Sequence, residues 1–208
     1  MNAVAGEILA RVAVDPGKRF IDVVVAGLAL IFFAPVLLLA ALIIKLESPG
    51  PVMFRQTRGG LNGRTFTIYK LRSMRVEENG DKVTQARRDD DRITKIGKIL
   101  RTTSIDELPQ LLNVLKGDMS LVGPRPHAMA HDVYYGALIS TYHMRFQAKP
   151  GLTGLAQIRG LRGGTTDVED MAARIKADIA YIDGWSLMSD IRILLLTVPH
   201  LLMAENAY

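Results

Sequence analysis

The 208-residue chain has no cysteine, which excludes disulfides, thiolate metal sites and a thiol nucleophile. Histidine is sparse, at four, and Trp185 is the lone tryptophan. No internal repeat or low-complexity tract is visible, so a solenoid or a compositionally biased tail is set aside. A Walker loop is also missing. Arg159-Gly-Leu-Arg-Gly-Gly-Thr165 is basic and Gly-rich but does not match that pattern. Acidic charge is in deficit, with 21 Asp and Glu against 26 Lys and Arg, a net charge of +5. A basic surface suits nucleic acid, anionic lipid or a polyanionic small molecule. One long stretch has no charge at all. Val23 to Ile44 is 22 residues without a charged or strongly polar side chain. That is enough for a helix to cross a ~30 Å hydrocarbon core.

What surrounds the stretch bears on its topology. Pro35 lies near its middle, where it kinks a helix. Arg11, Lys18 and Arg19 precede it, and Lys45, Arg55, Arg58 and Arg64 follow at similar distance. With no charge asymmetry, the positive-inside rule puts both ends on the cytoplasmic side. A kinked re-entrant hairpin satisfies that better than a simple span, although prolines also occur in spanning helices.

Downstream, Glu47-Ser-Pro-Gly-Pro51 reads as a rigid turn. Val52–Arg58 and Arg64–Arg72 are strand-like and flank a hairpin turn signalled by Asn62-Gly63. The hairpin carries Arg55, Arg58, Arg64, Lys70 and Arg72, which suits either a phosphate-binding face or a solvated surface. Residues 77–91 read as a polar loop. Its Asp89-Asp-Asp91 is literally an Asp-x-Asp metal pattern, but no nucleotide-binding βαβ unit surrounds it. Arg92–Arg101 reads as an amphipathic helix, suited to an anionic membrane interface or to packing on a core.

The chemistry concentrates in Arg101-Thr-Thr-Ser-Ile-Asp-Glu-Leu-Pro-Gln-Leu-Leu-Asn113. Asp106 and Glu107 are adjacent carboxylates at a helix start, with basic segments on both sides. Two local readings are open. Ser104 and Glu107 form a capping box, or the helix starts at Pro109 and presents both acids on its lead-in, at a natural anion site. Gly117 is the expected helix stop. Arg125 is held stiffly between Pro124 and Pro126, which suits bidentate phosphate binding. His127 and His131 have i, i+4 spacing but no third ligand for a metal. Residues 132–148 read as an aromatic-rich helix. Lys149-Pro-Gly-Leu-Thr-Gly-Leu-Ala-Gln157 reads as a turn entering a short strand, Asp167–Ile182 as a helix with an Asp cap, and Leu187–Met203 as an apolar helix containing Pro199.

Six blocks in order, over nearly the whole chain, resemble the bacterial sugar transferases, the monotopic polyprenyl-phosphate phosphoglycosyl transferases. They are Lys18-Arg19 with Asp22, Ser48-Pro-Gly-Pro51, Lys70-Leu-Arg-Ser-Met74, Thr103-Ser-Ile-Asp-Glu-Leu-Pro-Gln110, Gly117-Asp-Met-Ser-Leu-Val-Gly-Pro-Arg-Pro126 and Lys149-Pro-Gly-Leu-Thr-Gly154. The Asp-Glu-Leu-Pro-Gln and Gly-Pro-Arg-Pro blocks are the specific ones.

The resemblance implies an α/β (α+β) fold, monotopic in the membrane. A lead-in (1–17), a re-entrant membrane helix (18–46) and a cytoplasmic-face catalytic domain (47–208) are expected, in the short, catalytic form. It implies transfer of a hexose-1-phosphate from a UDP-sugar to undecaprenyl or another polyprenyl phosphate at the bacterial inner membrane, in exopolysaccharide assembly. Asp106 matches the nucleophile and Glu107 its Mg²⁺-associated partner. Arg101 and Arg125, with Lys18, Arg19, Lys70, Arg72 and Gln157, match positions for phosphate and substrate. The membrane break falls at Ala34-Pro35, where the family often has Ser-Pro, and Ala156 stands where many members have Trp. The Leu161-Arg-Gly-Gly-Thr165 loop and the Tyr181 to Asp190 tail lean toward glucose or galactose. A homodimer is left open.

Two other classes compete. A non-catalytic membrane adaptor for anionic lipid predicts that Asp106→Asn leaves function intact. A nucleic-acid binder fits the charge, but the hydrophobic segment and the lack of aromatics within the basic stretches argue against it.

Overall fold

The computed structural model describes residues 12–75, 90–161 and 167–202. The start of the lead-in, most of the polar loop including Asp89, residues 162–166 of the second Gly-rich loop, and Met203 lie outside them.

The apolar stretch forms a single helix, α1 (Pro16–Glu47). Asp15 starts it by accepting from the Lys18 amide at 2.8 Å, and a proline takes the first turn. Its 32 residues amount to about 48 Å at 1.5 Å per residue. Pro35 lies inside it, and the helix continues past it to Glu47. Only 11% of its most apolar 18-residue stretch is buried within the protein. Leu28, Ile31, Phe32, Leu38, Leu39 and Leu42 are exposed.

Both ends of α1 nevertheless rest on the rest of the chain. Near its start, Ala26 packs into the main core with Leu111, Val114, Leu121, Val122 and Tyr181. Near its end, Ala40 and Ile44 pack with Leu71 and Leu100. Polar ties reinforce each end. Lys18 Nζ lies 2.6 Å from Asp190 and donates to the Val122 carbonyl at 2.9 Å. Asp22 accepts from Ser120 Oγ at 3.0 Å and the Leu121 amide at 2.8 Å. Arg72 donates to the Pro49, Ile44 and Ser48 carbonyls and so caps the end of α1.

The hairpin forms as its turn chemistry dictates. Strands β1 (Met53–Gly59) and β2 (Thr65–Leu71) pair antiparallel, with Met53 opposite Leu71 and Gly59 opposite Thr65. Asn62 sits at φ 54°, the left-handed geometry that Asn tolerates in tight turns. Helix α2 (Lys95–Thr103) follows, capped by Thr94 and by the Glu47 carboxylate on the Lys95 and Ile96 amides. Leu100 and Ile96 pack toward α1, while Ile99 is left exposed. Gly97 is obligatory there, because a Cβ would stand 1.9 Å from the Ser73 carbonyl oxygen.

Helix α3 (Leu111–Lys116) stops at Gly117, φ 89°. Strands β3 (Ser120–Val122) and β4 (Gly151–Thr153) pair in parallel, Ser120 with Gly151 and Val122 with Thr153. The expected 132–148 helix is two pieces. Helix α4 (Met129–Leu138) ends where Ile139 turns extended, and a 3₁₀ segment (Tyr142–Gln147) carries Tyr142 and Arg145 into the interior. The strand falls at residues 151–153, within the stretch expected to be the turn that enters it. Gln157 itself lies on the short helix α5 (Leu155–Ile158). Helix α6 (Val168–Asp183) has Asp167 at its N-cap position without a side-chain cap bond, and α7 (Leu187–Leu202) contains Pro199.

Candidate active site

Asp106 and Glu107 lie on a 3₁₀ segment (Ile105–Gln110) wedged between α2 and α3. Ser104 makes the junction in left-handed geometry, φ 59°, ψ 17°. That conformation ends α2 and is incompatible with the extended backbone of an N-cap. The capping box is therefore absent. Ser104 makes no side-chain cap bond, and the Glu107 amide donates instead to the Ser104 carbonyl at 3.1 Å. The start at Pro109 also shifts, because Pro109 sits within the 3₁₀ segment and α3 begins at Leu111.

The carboxylates are 7% and 8% exposed, so each must be charge-balanced or shifted in acidity. Glu107 Oε1 lies 2.5 Å from Arg125 Nη2 and 2.8 Å from Lys70 Nζ, while Oε2 accepts from Arg125 Nη1 at 3.1 Å. This is the two-point fork that arginine makes with a carboxylate. No hydrogen bond from a described residue reaches the Asp106 carboxylate, which feels Lys70, Arg101 and Arg125 only through space. The two acids therefore part company. Burial and the neighbouring Glu107 charge push Asp106 up to about 6, against the three cations. Burial also pushes Glu107 upward, but Arg125 and Lys70 outweigh it and hold that carboxyl well below the usual range. Adjacent carboxyls driven apart in this way suit different tasks in one reaction.

Arg125 is fixed by its backbone. Its prolines have no N–H, so the loop is held by its carbonyls. Gly151 N donates to Pro124 O at 2.9 Å, Arg58 Nη1 to Pro126 O at 3.4 Å, and Arg145 Nη2 to Arg125 O. Glycines let the two motif loops meet. A Cβ on Gly123 would stand 2.3 Å from the Lys149 carbonyl, and one on Gly154 2.2 Å from the Gly123 carbonyl. Arg145 is itself 3% exposed, paired with Asp178 at 3.1 Å and lying 2.5 Å from His127 Nδ1. His127 also meets the Tyr142 hydroxyl at 2.7 Å, and Tyr142 donates to Asp132 at 2.7 Å.

The structure thus gathers Asp106, Glu107, Lys70, Arg101 and Arg125. It does not bring Lys18, Arg19 or Arg72 to them. Lys18 is committed to Asp190, Arg72 caps α1, and Arg19 donates to the Val114 and Leu115 carbonyls at the end of α3, at 2.6 and 2.7 Å. Gln157 is half-buried, and its amide atoms, like Arg101 Nε and Gln110 Nε2, are enclosed without a hydrogen-bond partner among the described residues. Ala34 and Pro35 lie within α1. His127 and Asp90 are occupied by Tyr142 and Arg92, and no three metal-type ligands cluster among the described residues. Sequence reasoning passed over Arg145, Asp178 and Tyr142, whose neighbours come from distant parts of the chain.

An α+β body, a long apolar helix docked at both ends, and a carboxylate pair ringed by cations suit a membrane-associated protein equipped for phosphate chemistry. The bacterial sugar transferase family model matches residues 13–204, and the chain belongs to that family. A Caulobacter vibrioides UDP-glucose:undecaprenyl-phosphate glucose-1-phosphate transferase is 66% identical over 203 residues, 98% of this chain and 76% of that protein. Proteins of the same name from Escherichia coli K12 and Klebsiella pneumoniae are 54% and 51% identical over 191 residues, 92% of this chain. The chain spans 41% of the length of each of those two.

Proposed function

We propose that this chain is a phosphoglycosyl transferase that moves glucose-1-phosphate from UDP-glucose to undecaprenyl phosphate, at the cytoplasmic face of the bacterial inner membrane. The observation that carries the reading is the division of labour between the two acids. Glu107 is paired with Arg125 and Lys70, while Asp106 is buried beside it without a hydrogen bond from a described residue. An enclosed carboxylate not held by donors is a competent nucleophile.

The reaction runs in two displacements. An Asp106 oxygen attacks the phosphorus that bears the sugar, the diphosphate P–O bond breaks, and UMP leaves. A lipid phosphate oxygen then attacks the same phosphorus, the Asp106–phosphorus bond breaks, and the carboxylate is restored. Lys70, Arg101 and Arg125 offset the charge on the non-bridging oxygens. Mg²⁺ fits the donor chemistry. It favours one or two carboxylates and fills its octahedron with water and phosphate oxygens. Glu107, whose Oε2 receives a single donor, would hold it. When bound, the ion neutralises diphosphate charge so that an anionic nucleophile can approach.

The placement of α1 supports a re-entrant arrangement. Its two ends rest on one body, Pro35 lies between them, and exposed apolar side chains run along the helix from Phe20 to Leu46. A straight span would carry one end away to the far side of the bilayer. The names of the relatives favour glucose among the sugars. The test is UMP release from a panel of UDP-sugars with Mg²⁺ and undecaprenyl phosphate. Release with UDP-glucose foremost supports the reading, and none with any donor sinks it.

A further inference from the structure

Glu107 and Asp106 balance only part of the positive charge around them. Arg58, near the end of β1, reaches the same place from the hairpin. Its Nη2 donates to Gln56 Oε1 at 2.5 Å, and its Nη1 lies 3.4 Å from the Pro126 carbonyl, a long contact. Nε is enclosed without a partner among the described residues. No described carboxylate makes an ion pair with it. Asp132 is close enough to be felt, but its Oδ1 takes the Tyr142 hydroxyl and its Oδ2 does not close on Arg58. Burial and the neighbouring Arg125 press the Arg58 guanidinium down to about 10, and Asp132 and Glu107 offset that only in part. Lys70, Arg101 and Arg125 thus surround Asp106, while Arg58 lies by Arg125, with Asp132 and Glu107 as the carboxylates it feels and neither closing on it as an ion pair.

The position is rigid. Arg58 bridges to Ala128, just beyond the Pro-Arg-Pro loop. At the next residue, a Cβ on Gly59 would stand 2.7 Å from Asp132 and 3.0 Å from the Phe146 ring. Two guanidiniums held near each other by the backbone, one of them without a carboxylate, favour an anion between them.

We propose that Arg58 binds a phosphate group and, with Arg125, forms a second phosphate subsite on the Glu107 side of the carboxylate pair. The proposal rests on the phosphoglycosyl-transfer reading. Besides the transferred phosphorus, that reaction handles two phosphates of the same chemistry, the nucleoside-side phosphate of the donor and the monoester of the lipid acceptor. The two half-reactions separate them.

The experiment uses the full chain in nanodiscs, as wild type, Arg58→Gln and Arg58→Lys. Adduct formation is timed with UDP-glucose and Mg²⁺ without lipid. Discharge of the preformed adduct is timed with undecaprenyl phosphate, and melting temperature is followed alongside. Arg58→Gln is expected to slow one half-reaction at least tenfold, the loss of a charge-assisted contact. KM for that substrate should rise, Arg58→Lys should recover part of the rate, and the melting temperature should be unchanged. Loss in adduct formation assigns the nucleoside-side phosphate, and loss in discharge assigns the acceptor. Rates within about twofold of wild type in both steps overturn the proposal. An equal fall in both steps also overturns it, because that marks a prop for the Pro126 loop. A wild-type chain that forms no adduct and releases no UMP removes the underlying reading instead, and is recognised before any variant is compared.

Discussion

Removing the proposed nucleophile should make the protein more stable at neutral pH. Asp106 is 7% exposed, and its carboxyl is raised from 3.8 to about 6 by burial and by Glu107. Between those two values the folded chain binds more protons than the unfolded one, so stability falls as pH rises through that window. Above about 6 the full penalty of an ionised Asp106 is present. At about 1.4 kcal/mol per tenfold change in proton affinity, the gap from 3.8 to about 6 amounts to about 3 kcal/mol. Asp106→Asn has nearly the same shape and no charge to bury. In a chain of 208 residues this corresponds to a melting temperature higher by about 6–12 °C, as a ceiling. The assay is thermal unfolding of both proteins in detergent with EDTA, at pH 7.5 and in steps down to pH 4. The difference should be largest at pH 7.5 and nearly close toward pH 4, where Asp106 is neutral in the folded chain and pH has come down to about its unfolded value of 3.8. A variant no more stable than wild type at pH 7.5, or a gap independent of pH, would refute the assignment of Asp106 as the destabilised carboxylate.

Glu107→Gln should act oppositely, costing on the order of 3 kcal/mol at pH 7.5, because Arg125 and Lys70 lose their counter-charge in an enclosed site. A melting temperature equal to wild type would contradict that. The rate of adduct formation should fall about tenfold per pH unit below about 6, as Asp106 takes up its proton, and a flat profile to pH 5 would contradict its titration. Gly97→Ala should destabilise by several kcal/mol, since its Cβ would stand 1.9 Å from a backbone oxygen, and a stable, well-folded variant would show that α2 can move off Ser73. The chain has no cysteine, so single cysteines at Val14 and Leu46, 73% and 77% exposed, report the topology of α1 directly. Both should be modified by an impermeant reagent from the cytoplasmic side, and opposite sidedness would establish a span.

How much could be read in advance depends on whether a residue's partner is local. The hairpin was legible because Asn62-Gly63 sets its own turn, and the end of α3 because Gly117 supplies its own left-handed geometry. Asp106, Glu107 and Arg125 stood out as residue types in motifs, but the fork that joins Glu107 to Arg125 comes from backbone contacts with Gly151, Arg145 and Arg58. Through the family resemblance Lys18 and Arg19 match phosphate and substrate positions. Lys18 instead meets Asp190 across 172 residues, a separation no local pattern reports. Ser104 satisfies the capping-box spacing, yet the turn between α2 and the 3₁₀ segment needs it left-handed, and the tertiary constraint prevails. Arg145 carries no local signal, because its importance comes from Asp178, His127 and the Arg125 carbonyl converging on one guanidinium.

The central claim is that Asp106 takes the phosphosugar onto its own carboxylate. The most direct measurement is the intact mass of purified protein incubated with Mg²⁺ and UDP-glucose in the absence of lipid acceptor. The account predicts a gain of one hexose phosphate, mapped to the Asp106 peptide, absent in Asp106→Asn and discharged by undecaprenyl phosphate. UMP release on adding the acceptor without any such adduct, or an adduct that persists in Asp106→Asn, would contradict it.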